Sequence, residues 1–461
     1  MALSSALFTD LYQLTMAQTY WSSGVTGEAT FSLFFREFPD NRAYYVFVGL
    51  QDALDYLQDF KFSKGDMDAL RALDLFEDGF LSFLSTLRFT GDVRAMREGT
   101  LFFENEPVLE VSGPIIECQL AETYLLNQVS LQSMLATKAA RVVHAARGRR
   151  VVEFAARRTH GTDSAQKVAR SSYIAGFDGT SNVQAAIAYG IPPRGTMAHS
   201  MISAFPDEAE AFRAYARAFP DSSTFLVDTY DTLEGVRNAI IVGLEMRERG
   251  HSLRAVRLDS GDLLELSRAS RRLLDDAGLN AVEVFASGGL DENSIDALVQ
   301  AGAPIAGFGV GTRLGTSADA PHADFVYKLV AFQGQPVMKL SADKVSLPGS
   351  KQVYRQSDLD GTFSGDVIGL EGEPHPPGGP SESLLGPVMR GGRKLRPDPE
   401  MDQLRTAFAE QFARLPDNLK ALGTIHSYNV SISDELRSLA ETTGKALRDR
   451  SKGQHSGRPR S

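Results

Sequence analysis

Five short apolar runs in the middle of the chain, RRVVEFAARR, STFLVDTYDT, LRAVRLDSGD, VEVFASGGLDE and PIAGFGVGT, each stop at small or charged residues. The last four end near Asp228, Asp259, Ser287 and Gly309, at intervals of 31, 28 and 22 residues. Helical periodicity fills the gaps over 231–249, 262–278 and 291–302. Strand, helix and strand at this spacing imply parallel strands joined by helical crossovers. So many consecutive units fit a closed or nearly closed barrel best, with an open doubly wound sheet as the alternative.

The flanks read differently. Residues 1–20 read as a helical start that Thr9 or Asp10 can cap, followed by strand-like stretches at 29–38, 44–50 and 107–120. The proline-free stretch 121–147 has helical periodicity. Residues 356–405 are rich in Gly, Pro and Asp and read as a loop-rich appendage, with helices following at about 400–414 and 432–447. The domains expected are therefore 1–120 (α+β), 121–345 (β/α barrel), 346–445 (appendage with helices) and 446–461 (disordered tail).

Composition narrows the function. A net charge of −10 over 461 residues argues against nucleic acid or an anionic membrane as the main partner, while leaving room for a local basic pocket. The single cysteine, Cys118, allows neither a disulfide framework nor a thiolate zinc cluster. No apolar run reaches membrane-spanning length, and Asp10 interrupts a start that lacks a basic region, so the expected location is cytoplasmic.

In parallel α/β folds ligands bind at the carboxyl ends of the strands, so the polar residues there matter most. Asp259 and Asp262 flank the tight turn of RLDSGD beside Arg257, an arrangement suited to magnesium or ribose hydroxyls. The competing reading is a helix start, with Asp259 or Ser260 as cap and Asp262 favourable to the helix dipole. Gly288 and Gly289 of ASGGLDE, with Gly309 and Gly311 of GFGVGT, let backbone amides approach a phosphate, and Ser287 and Thr312 flank them. Arg157 and Arg158 follow a strand and suit anionic groups. Asp228 and Asp231 suit a helix cap or the orientation of a histidine. His199 lies among Gly195, Thr196, Ala198 and Ser200, which wall it in so little that a reactant can reach it. Within this constellation it is the candidate general base or nucleophile.

The motifs FTDLYQLTMAQTY, EFAARR, GFDGTSNVQAA, GTMAHS, LVDTYDT, VRLDSGDL, VGTRLGTS and KLSADKVSLPGSKQVYR, in that order, closely resemble the nicotinate phosphoribosyltransferases over about residues 7–355. The resemblance implies an enzyme of NAD salvage that joins nicotinate to 5-phosphoribosyl 1-pyrophosphate, with magnesium and with ATP as co-substrate. By the same resemblance ATP hydrolysis runs through a phosphohistidine, here His199, oriented by Asp228. Tyr12 and Phe154 would sandwich the pyridine ring, Tyr12 arriving from the partner subunit of a homodimer. Arg157 would meet the substrate's polar group, Arg257 and Asp259 the ribose and pyrophosphate, and the four glycines the 5′-phosphate. Ser181 stands where nicotinamide-specific relatives are expected to carry an acid, and a serine does not repel a carboxylate. One motif departs: SGGLDE replaces the SNDLDE of close relatives and resembles the quinolinate-using branch. The alternatives are a nicotinamide or quinolinate enzyme on the same scaffold, or a non-catalytic nucleotide-binding relative. The fold implied is α/β: an incomplete or irregular β/α barrel, with an N-terminal α+β domain completed by C-terminal segments.

Overall fold

The computed structural model describes residues 4–340, 346–423 and 426–456. Within them the chain forms two compact units. The first gathers residues 1–133, 322–400 and 410–461, and the second holds 134–321 with 401–409.

The first unit is built on antiparallel pairing. Its seven-stranded sheet places Glu28–Phe35 between Phe325–Phe332 and Pro107–Pro114, the latter at the centre. Alternation along Glu28–Phe35 sends Phe31 onto Tyr327 and Phe35 onto Phe325, with ring centroids 4.8 and 4.5 Å apart. The expected strand over 107–120 ends at Pro114, and Ile115–Leu120 turns helical. An apolar run of that length reads alike as buried strand or buried helix, and periodicity does not separate them. The stretch read as a loop-rich appendage carries strands between its loops. Lys351–Ser357, Phe363–Leu370, Ser381–Ser383 and Val430–Ile432 form a four-stranded sheet. The turn residues at 358–361 that suggested a loop make its central hairpin. Helices Met401–Arg414 and Asp434–Ser456 follow, the latter running through most of the expected tail. Residues 457–461, and 341–345 within the motif KLSADKVSLPGSKQVYR, lie outside the described residues.

The second unit carries the strand–helix repeat. Five strands, Arg150–Glu153, Gly307–Val310, Glu283–Ala286, Ala255–Leu258 and Thr224–Leu226, pair in that order, all parallel. Helices Thr232–Glu248, Leu263–Asp276 and Glu292–Gln300 make the crossovers. The unit's first strand therefore lies beside its last, as in a ring of strands. Single parallel bridges from Glu153 to Thr180 and from Thr180 to Pro193 extend that side. Among the described residues no pairing joins Pro193 to Thr224–Leu226, so the ring is not closed. Because every strand points the same way, residues 154, 228, 259, 287 and 311 emerge together at one edge of the sheet. Among the described residues no helix is long and apolar enough to cross a membrane.

Candidate active site

Three successive loops divide their polar residues the same way. A polar residue one or two positions past the strand, Asp228, Asp259 or Ser287, is followed three or four positions later by an aspartate that caps the next helix. Asp231 accepts from the Glu234 amide at 2.9 Å, Asp262 from Leu264 and Glu265 at 3.1 and 3.2 Å, and Asp291 from Ser294 at 2.9 Å. Asp262 thus spends its Oδ1 as a cap. Among the described residues no group of three or more His, Cys, Asp or Glu side chains converges on a metal position.

Asp259 is held from three sides. Its amide donates to Asp228 Oδ2 at 3.0 Å, and Ser287 donates its hydroxyl to Asp259 Oδ1. Gly288, with φ at +94°, packs so closely on the Asp259 carbonyl that an added Cβ would stand 1.8 Å from that oxygen. Asp228 also accepts from Ser260 Oγ at 2.6 Å, leaving its own Oδ1 buried without a partner.

His199 opens the short helix His199–Ser203, and its side chain is 45% exposed. Its Nδ1 lies 3.1 Å from the Thr229 hydroxyl, and its Nε2 lies 4.0 Å from Asp259 Oδ2. The hydrogen-bonding position expected of Asp228 is therefore taken by Thr229, while Asp228 braces the turn that carries Asp259. Sequence reasoning passed over Thr229 because a hydroxyl next to an aspartate carries no signal of its own. Arg257 donates to Thr196 Oγ1 and brings Nη2 within 4.0 Å of Asp259 Oδ1. Burial pulls its guanidinium below the usual arginine range, against the pull of Asp259 and Asp228.

On the other side of the sheet edge, Phe154 donates its amide to the Val310 carbonyl at 2.8 Å, and Ser181 donates its amide to the Glu153 carbonyl at 2.9 Å. The Glu153 carboxylate accepts from the Thr180 hydroxyl and the Ala155 amide, fixing the start of the loop that bears Phe154 and Arg157. Burial pushes that carboxyl up from its ordinary range. Arg157, Arg158 and Ser181 are exposed. Gly309 departs from its expected task. It lies inside its strand, and a Cβ there would stand 2.4 Å from the Phe154 ring, so its missing side chain makes room for that ring. A Cβ on Gly311 would likewise stand 2.9 Å from the Phe154 carbonyl oxygen. Gly289, by contrast, faces open space with φ at +67°, and Thr312 is exposed. Tyr12 belongs to the first unit, half exposed on helix Leu11–Ser22, while every other candidate belongs to the second.

Three models of the nicotinate phosphoribosyltransferase family match: its N-terminal domain over residues 7–130, the family itself over 149–357 and its C-terminal domain over 379–440. The chain belongs to the nicotinate phosphoribosyltransferase family. A nicotinate phosphoribosyltransferase of Mycobacterium tuberculosis (strain ATCC 25618 / H37Rv) is 53% identical over 433 residues, covering 94% of this chain and 92% of the relative. One from Bacillus subtilis (strain 168) is 44% identical, covering 80% and 77%. Among solved structures, human nicotinic acid phosphoribosyltransferase superposes with a TM-score of 0.85 at 32% identity, covering 94% of this chain and 99% of that one. As a nicotinate phosphoribosyltransferase family member, the chain is an enzyme of pyridine nucleotide biosynthesis in NAD salvage.

Proposed function

We propose that this chain joins nicotinate to 5-phosphoribosyl 1-pyrophosphate, giving nicotinate mononucleotide and pyrophosphate, and couples the transfer to ATP through a phosphate carried on His199. The observation that carries the coupling is the seat of His199: half exposed, held at Nδ1 by Thr229, with Nε2 free of any hydrogen bond and turned towards Asp259. A histidine fixed through one nitrogen presents the other as a nucleophile. Nε2 takes the γ-phosphoryl group, ADP departs, and water later releases inorganic phosphate.

In the transfer itself, the pyridine nitrogen bonds to the anomeric carbon as the carbon–oxygen bond to pyrophosphate breaks, and the electron pair leaves with pyrophosphate. Positive charge builds on the ribose ring, and Asp259 stands ready to stabilise it. Phe154 offers a ring face to the pyridine and Arg157 a cation to its carboxylate, with Ser181 adding no opposing charge. Gly288, Gly289, Gly311 and Thr312 receive the 5′-phosphate. The oxygens left over at the strand ends, Asp259 Oδ2 and the unpartnered Asp228 Oδ1, would hold a magnesium ion. That ion would neutralise charge on the leaving group.

The site stands at the end of a sheet that we read as an incomplete barrel, in a cytoplasmic enzyme. Tyr12 would reach the pyridine from a second copy in a homodimer, and the exposure of Phe8, Leu11 and Tyr12, 50, 54 and 49%, gives that copy an apolar surface to cover. The test is turnover of nicotinate, nicotinamide and quinolinate with phosphoribosyl pyrophosphate and magnesium, with and without ATP. Nicotinate turned over fastest and stimulated by ATP supports the reading. Preference for either other pyridine, or binding without turnover, overturns it.

A further inference from the structure

The loops 287–291 and 311–313 follow neighbouring parallel strands, Glu283–Ala286 and Gly307–Val310. One ion pair crosses between them: Arg313 Nη1 meets Asp291 Oδ2 at 2.5 Å. Its two ends are unequal. Asp291 is 10% exposed in its side chain, caps helix Glu292–Gln300 through Ser294, and precedes Glu292, which Lys138 and Arg141 hold from inside. Arg313 is 55% exposed and donates to nothing else among the described residues.

With its arginine end so open to water, the pair adds little to stability. What it does is fix the direction of a guanidinium whose remaining donors stay unspent. Those donors lie where the ion pair joins the two loops, and Gly289, two residues before Asp291, faces open space. A planar fork held by a carboxylate on one edge presents its other edge to a second oxyanion. We propose that Arg313, aimed by Asp291, binds the 5′-phosphate of the phosphoribosyl substrate alongside the backbone of the two loops. This rests on reading those loops as the phosphate site. It adds a charged contact that the glycine pattern did not contain, because an arginine after GT carries no sign of which way it turns.

The experiment is steady-state kinetics of Arg313→Gln and Arg313→Lys, with ribose 5-phosphate as a competing probe. Arg313→Gln should raise KM for phosphoribosyl pyrophosphate and the inhibition constant of ribose 5-phosphate together, each about 10-fold. Its kcat, and its KM for nicotinate and for ATP, should stay near the parent values. Arg313→Lys, which keeps the charge without the fork, should recover part of the loss and guards against a folding defect in the first variant. An unchanged KM in Arg313→Gln, with the parent enzyme still inhibited by ribose 5-phosphate, overturns the role of Arg313 alone. A parent enzyme indifferent to ribose 5-phosphate overturns the phosphate reading of the loops, and this inference with it.

Discussion

Each unit holds a cluster of carboxylates around an arginine, and the two clusters treat their charges in opposite ways. In the first unit Arg355 is fully buried. It pairs with Asp366 at 2.6 Å, lies 4.0 Å from Glu106 and sits over the rings of Phe103 and Phe363. Tyr428 donates to the same Asp366 at 3.0 Å. Burial, with Asp366 beside it, pushes Glu106 well above the usual carboxylate range. Burial alone would lower Arg355, but Asp366 and Glu106 reverse that and hold it above its usual range. In the second unit Asp259 and His199 are partly exposed beside the largely buried Arg257, and Asp228 Oδ1 and Arg257 Nε are left without partners. The first cluster pairs its charges inside the core around Arg355, with Glu106 Oε1 left without a hydrogen bond among the described residues, and it holds a fold together. The second leaves both a donor and an acceptor over beside partly exposed side chains, set for something that arrives.

That contrast breaks most easily at Arg355. Arg355→Met strands Asp366 in the core and should cost about 3–5 kcal/mol of stability, read as a large fall in thermal midpoint. A variant that melts like the parent would show that the buried cluster is not structural. Gly288→Ala sharpens the other side. Its Cβ forces the Asp259 carbonyl to move, and displacement of a reacting carboxylate by an ångström should lower kcat/KM about 100-fold. Full activity would mean that Asp259 needs no such placement. Ser181→Asp should give the smallest change, shifting the ratio of nicotinate to nicotinamide use by roughly 10-fold against nicotinate. An unaltered ratio would mean that residue 181 does not face the substituent.

Much of the second unit was legible because its repeat is written twice, in strand spacing and in the acidic residues that follow each strand. Asp228, Asp259, Ser287 and His199 could be found as strand-end or poorly walled residues. What each one touches could not be read. Asp259 and Asp262 look equivalent in RLDSGD, yet one is held by Asp228 and Ser287 while the other caps the next helix. Gly309 and Gly289 look equivalent too, but the Phe154 ring fills the space at the first and nothing fills it at the second. The strands after residue 350 were hidden by Gly, Pro and Asp, which mark their turns more strongly than a short alternation marks the strands. Arg355 carried no signal at all, since its carboxylate and aromatic partners come together only in the folded unit.

The most direct test is to incubate the protein with magnesium and ATP radiolabelled in the γ-phosphate, then map any acid-labile label. The account predicts label on His199, absent in His199→Ala and discharged when nicotinate and phosphoribosyl pyrophosphate are added. Nicotinate mononucleotide formed at the full ATP-stimulated rate by a protein that never carries phosphate on His199 would contradict it.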